Sequence, residues 1–143
     1  MGMVNTEITI KNLRDGIKAE IGALKPEDIR TATVTAVVDT GSMYLVITED
    51  LFQKLGLYVK EERFANTANG QSVPCKVTES VEVQWKNRRT EVPTLVIPGA
   101  KKNLFGAIPM EAMDLMVCPR TQEIVGAHGD QIEILALSSF DLH

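Results

Sequence analysis

The sequence predicts one mostly-β domain with one or two short helices. Three observations carry that expectation. Apolar and polar residues alternate in several short runs, β-branched residues fill Thr31 to Val38, and Gly-, Asn- or Pro-bearing turns separate the runs. A length of 143 residues suits one domain, and no linker-like or low-complexity stretch divides it, so residues 1–143 are read as one unit.

The elements follow in order. Thr6, Ile8 and Ile10 alternate with Glu7, Thr9 and Lys11, the period of a half-buried strand. Asp15-Gly16 reads as a turn, and Ile17, Ala19 and Ile21 as a second alternating strand. Lys25-Pro26-Glu27-Asp28 breaks it, because proline lacks an amide donor. Thr31 to Val38 is the next strand, with Ala36-Val37-Val38 reading as buried on both faces. It runs into Asp39-Thr40-Gly41-Ser42 and a short apolar run, Tyr44 to Ile47. Thr48 fits an N-cap, Glu49 and Asp50 complement a helix dipole, and Gly56 fits the stop.

Glu61 to Lys76 reads as a hairpin tipped by Asn69-Gly70, with positive φ expected at both tip residues. Val81, Val83 and Trp85 form a strand that Asn87-Arg88 turns back onto Glu91 to Ile97. After a turn at Gly99 to Lys102 comes Leu104-Phe105-Gly106, then a helix from Pro109 through Leu115. Val117 and Ile124-Val125 flank a turn at Pro119 to Thr121, and Ile132 to Leu137 is a last strand or a mobile end. A weak internal echo joins Leu55-Gly56-Leu57-Tyr58-Val59 to Met113-Asp114-Leu115-Met116-Val117.

Composition narrows the function. With 44% hydrophobic and 24% charged residues the chain is neither disordered nor a disulfide scaffold. Fifteen Lys and Arg against nineteen Asp and Glu give a net charge of −4, which supplies no electrostatic reason to bind nucleic acid. No apolar run reaches the length of about 18 residues that a membrane span needs. Glu7, Asp15 and Glu20 interrupt any signal-like start. Met1 to Thr6 fits a loose N-myristoylation pattern, and an extra start ahead of Met3 accounts for the same letters. Cys75 and Cys118 lack CxxC spacing and read as free thiols of a reducing, cytoplasmic compartment, with one disulfide between them left open.

Asp39-Thr40-Gly41 carries the chemistry. An acid stands where an apolar strand ends, followed by a tight turn, an apolar run, an Asn-Gly hairpin and an apolar-apolar-Gly element leading into a helix. That order, over roughly Ile17 to Val125, resembles the retropepsin-like aspartic proteases, and Leu104 to Pro119 resembles a prokaryotic subgroup of predicted proteases of that clan. Phe105, Cys118 and Ser42 stand where relatives there often have Leu, Asp and Ala.

The resemblance implies a closed retropepsin-type barrel, a homodimer and an aspartic endopeptidase without cofactor or metal, with residues 1–16 and 127–143 open to dimer contacts or mobility. A single Asp-Thr-Gly cannot build a two-carboxylate site, but a twofold axis brings two copies of Asp39 together. Such a pair shares one proton and serves as both base and acid; the aspartic-protease dyad is the standard example of that effect. Thr40 would brace the loop across the axis, and Gly41 would permit its tight turn. Ser42 and the hairpin at Asn66 to Pro74, with Ala68, Asn69 and Gly70 at its tip, would contact an extended peptide or unfolded protein. The competing reading is a catalytically silent dimeric module of the same fold that binds peptide or protein segments.

Other signals read blandly. Met110, Met113 and Met116 are spaced for core packing, and Lys86-Asn87-Arg88-Arg89 as a solvated turn. His128 has no second ligand at metal-binding spacing.

Overall fold

The computed structural model describes residues 3–129, in which the alternating runs pair into a sheet that closes on itself. The ring runs β1 (Asn5–Asn12), β2 (Thr31–Val38), β7 (Asn103–Phe105), β3 (Leu45–Ile47), β6 (Arg88–Val96) and β5 (Ser72–Trp85), which pairs back onto β1. β4 (Val59–Asn66) hangs on β5 outside the ring. Closure removes free edges from the barrel wall. The β2–β7 and β3–β6 pairs are parallel and the other pairs antiparallel. This confirms a mostly-β closed barrel.

Inward residues of the ring make the core. Ile8, Ile10, Leu45, Ile47, Val81, Val83 and Phe105 are essentially without exposed surface. A second, smaller cluster of Val46, Cys75 and Leu95 lies under the β4–β5 hairpin, packed by Tyr44, Val77 and Leu104 among others. The small helix α2 (Glu49–Lys54) follows β3, capped by the Thr48 hydroxyl accepting from Leu51 N. Helix α3 (Ala107–Ala112) follows β7, and a separate ribbon of β8 (Leu115–Cys118) and β9 (Glu123–Gly126) comes after it. The internal echo has a structural basis: α2 and α3 each end on a left-handed residue, Gly56 at φ 63° and Asp114 at φ 55°.

Several expectations are corrected. Ile17, Ala19 and Ile21 are not a strand, nor is Asp15-Gly16 a turn: Leu13–Glu20 form helix α1. Buried Asn12 accepts from Asp15 N at 3.0 Å and caps it, while Ile17 and Ile21 face solvent at 52% and 75% exposure. Asp15 is held by Arg30 through both carboxylate oxygens at 2.8 and 2.9 Å. Pro26–Asp28 form one 3₁₀ turn. Val37 and Val38 are only partly buried.

The third helix stops at Ala112, because Asp114 turns the chain and Leu115 opens β8. Arg88 is not solvated: it is buried and donates to the carbonyls of Met113, Asp114 and Gly129. The turn it follows is Lys86-Asn87, with Lys86 at φ 50°. Met110 and Met113 are buried as expected, whereas Met116 is exposed on the β8–β9 ribbon. Cys75 and Cys118 are both free thiols. His128 meets Asp114 at 2.9 Å. Of the segments left open to dimer contacts or mobility, residues 5–16 form β1 and the start of α1, while the strand expected at 132–137 lies outside the described residues.

Candidate active site

The acidic loop is built from two directions. β2 delivers Asp39 at its end, and β7, parallel to β2, takes the Asp39 amide onto Phe105 O at 3.1 Å. The turn then closes on itself. Ser42 N donates to Asp39 O at 3.0 Å, and Gly41 N donates to Asp39 Oδ1 at 3.0 Å. One carboxylate oxygen is therefore oriented by the backbone two residues on. A Cβ on Gly41 would lie 3.2 Å from that oxygen, so the turn has little room for a side chain.

The start of α3 holds the far side of the loop. Ala107 N donates to Ser42 O at 2.8 Å and Ile108 N to Met43 O at 2.9 Å. Gly106 makes this approach possible: a Cβ there would overlap the carbonyl oxygens of Ser42 and Tyr44. Its backbone is extended, so the requirement is space and not an unusual φ.

A cleft of about 770 Å³ lies between this loop and the β4–β5 hairpin, a size that suits ligand binding. Asp39, Gly41, Ser42 and Met43 form one side, and Arg63 to Ala68 of the hairpin form the roof. The floor is the smaller apolar cluster: Val46, Cys75, Val77, Leu95, Ile97 and Leu104. Arg63 is the cationic side chain of the lining and pairs with Glu61 at 2.7 Å on the exposed surface.

Of the residues singled out from sequence, Asp39, Gly41, Ser42 and Ala68 meet at this cleft. Ser42 Oγ also donates to Tyr44 O at 3.3 Å. Thr40 sits on the exposed crest of the loop, and Asn69 and Gly70 at the exposed hairpin tip; none of the three is in the lining. The tip differs from the expected two-residue turn. Asn66 pairs with Ser72, leaving five residues between them, closed by Thr67 N donating to Gln71 O and Gly70 N to Thr67 O. Gly70 alone of the two tip residues has positive φ, at 78°.

Sequence reading missed the floor. Cys75 and Val77 on β5 and Leu95 and Ile97 after the return turn alternate along their strands, a signal that marks an inward face but not which interior it faces.

The solved structure of EIAV protease complexed with the inhibitor HBY-793 matches with a TM-score of 0.50 and 18% identity, covering 73% of this chain and 82% of that one. That likeness concerns the fold, a retropepsin barrel. A search of curated proteins found no match. A family model described as aspartyl protease matches residues 26–126, a span that holds β2, the Asp39 loop, the hairpin, the cleft and the β8–β9 ribbon. The chain is thus a retropepsin-like member of the aspartyl protease family.

Proposed function

We propose that the chain is an aspartic endopeptidase that acts as a homodimer on extended peptides or unfolded protein. The observation that carries this reading is the position of Asp39. It lies in a braced loop at the edge of a roofed apolar cleft, with one oxygen oriented by Gly41 N.

Peptide hydrolysis without a metal needs a base to activate water and an acid to protonate the carbonyl oxygen. One Asp39 cannot be both at once. Two, related by a twofold axis, share a proton because two adjacent carboxylates do not both ionise cheaply. Water held between them loses a proton to the ionised member as it attacks the carbonyl carbon. The protonated member donates to the carbonyl oxygen. Collapse of the tetrahedral intermediate breaks the C–N bond, and the leaving amine takes up a proton from the pair. In this reading Thr40 braces one loop against the other, and Gly41 and Ser42 line the peptide's path. The hairpin from Asn66 to Pro74, with Ala68, Asn69 and Gly70 at its tip, closes as a flap that excludes water. The apolar floor receives an apolar side chain of the substrate.

The test is cleavage of an unfolded protein or peptide library by wild type and Asp39→Asn across about pH 3 to 8, the range in which carboxyl pairs titrate, with sedimentation run alongside. The expected result is a dimer with a bell-shaped acidic profile, and a loss of about 10²–10⁴-fold in the variant. Equal rates overturn the mechanism. A dimer that binds peptide and never cleaves it identifies the silent binding module instead.

A further inference from the structure

What fixes the root of the hairpin is a separate question, and the answer rests on reading that hairpin as a flap. β5 pairs with β6 from Trp85 as far as Lys76, and residues 72–75 pair with β4 alone. Just inside that point the register breaks twice. Thr78 and Glu79 both stand opposite Thr94, and β4 carries Lys60 as an extra residue between the Val59–Thr78 and Glu61–Val77 pairs. Bulges of this kind bend a ladder and interrupt its pairing.

Side chains pin both breaks. Thr78 is fully buried; its Oγ1 lies 2.7 Å from Thr94 Oγ1 and accepts from Thr94 N at 3.2 Å. Glu79, 7% exposed, accepts from Tyr58 N at 3.1 Å through Oε2, and Tyr58 O accepts in return from Glu79 N at 3.1 Å. Arg14 of α1 closes the clamp. It donates from Nε to Glu79 Oε1 at 3.0 Å and from Nη2 to Oε2 at 2.9 Å, and Nη2 also reaches Gly56 O at 3.1 Å. Its guanidinium carbon lies 5.4 Å from the centre of the Tyr58 ring.

One residue pair therefore ties together β5, the chain just ahead of β4 and a helix outside the hairpin. Asn12, which caps α1, adds a bond from Nδ2 to Leu55 O at 2.8 Å, so the chain running into β4 is gripped at Leu55, Gly56 and Tyr58. A buried carboxylate gives little net stability over a well-packed apolar residue, even when fully paired. Its geometric effect is larger: a forked ion pair fixes direction as well as distance.

We propose that Arg14 and Glu79 are positioning residues for the flap. The clamp from α1 locks the hairpin root at Tyr58 and Glu79, confines bending to the segment beyond Lys60 and Val77, and so sets the tip's height above Asp39.

The experiment compares wild type with Arg14→Gln, Arg14→Lys and Glu79→Gln by site-resolved amide hydrogen exchange and by peptide kinetics. In Arg14→Gln and Glu79→Gln, amides of residues 61–66, 72, 73 and 75–77 should exchange at least about tenfold faster while those of β1 and β6 keep their rates. KM should rise about tenfold with kcat within about twofold, and Arg14→Lys should recover part of both effects. Unchanged flap exchange, an equal rise across the barrel, or no recovery by lysine overturns the proposal. If Glu79→Gln does not fold, the Arg14 variants decide, since that side chain is 36% exposed. If wild type never cleaves while the variants show the exchange pattern, the protease reading fails and the clamp stands.

Discussion

The loop that carries Asp39 and the hairpin that roofs it are held in opposite ways. Main-chain bonds from β7 and α3 hold the loop, at Asp39 N, Ser42 O and Met43 O, and Gly106 lets the two backbones touch. The hairpin is held at its root, by the side chains of Arg14, Glu79 and Thr78. Beyond the root β4 is exposed along most of its length. Backbone contact leaves few alternative arrangements, whereas a side-chain clamp fixes one end of a lever. The proposed reading, in which the site orients an acid and also admits a polypeptide, needs both.

Glycine substitutions separate the loop from the hairpin most strongly. In Gly106→Ala the new methyl has no space and meets backbone that cannot step aside, so a loss of about 3 kcal/mol in urea denaturation is expected, with activity falling as the Asp39 loop shifts. Gly70→Ala is the reverse case. Nothing lies within 4 Å of the added carbon, but φ is 78°, so the cost is about 1 kcal/mol of local strain. It should appear as faster exchange at the tip and lower the denaturation midpoint by about a third as much as Gly106→Ala does. Equal losses at the two sites would show that loop and hairpin are not held differently.

Thr78→Val probes the hinge at the root of the hairpin. It keeps the shape and removes the hydroxyl that accepts from Thr94 N, leaving a buried amide unpaired. The expected cost is about 1–2 kcal/mol. Thr94 pairs with Leu45 of β3, the strand that leads away from the acidic loop. A measured change confined to the hairpin would mean that the two regions move independently.

These differences explain what could be read from the residues alone. The loop was legible because its determinants are local: a β-branched strand, an acid, a glycine turn and a capped helix at Thr48 follow one another within about 20 residues of chain. The hairpin existed in the pattern, but its five-residue tip did not, because Asn69-Gly70 also fits a tighter turn. Helix α1 was misread because Ile17, Ala19 and Ile21 alternate as in a strand while its true determinants lie elsewhere. Its cap is the side chain of Asn12, and Asp15 is fixed by Arg30, fifteen residues away. The clamp was invisible for the same reason: Arg14 and Glu79 meet only once the barrel has closed. The cleft floor draws on β3, β5, β6 and β7, whose registers no single run reveals.

The smallest expected effect concerns pH. Arg30's hydrogen bonds to the Asp15 side chain outweigh the cost of burial and lower the Asp15 pKa to about 2. An unfolded aspartate titrates near about 3.9. A folded-state value below the unfolded one makes ionised Asp15 stabilising at pH above the unfolded value, and that contribution disappears as pH falls from about 4 through about 2. The stability difference between wild type and Asp15→Asn, followed by urea denaturation, should therefore stay flat from pH 7 to about 4 and shrink below it. The consequence reaches the hairpin, because Asp15 fixes the helix that presents Arg14. In the enzyme proposed above, the helix that presents Arg14 has to stay anchored on the acidic side, and Arg30 keeps Asp15, that helix's anchor, charged to lower pH than a free aspartate would be. A gap that closes near pH 5 would mean that the anchor loosens inside the working range, and hairpin exchange in wild type should then accelerate at the same pH.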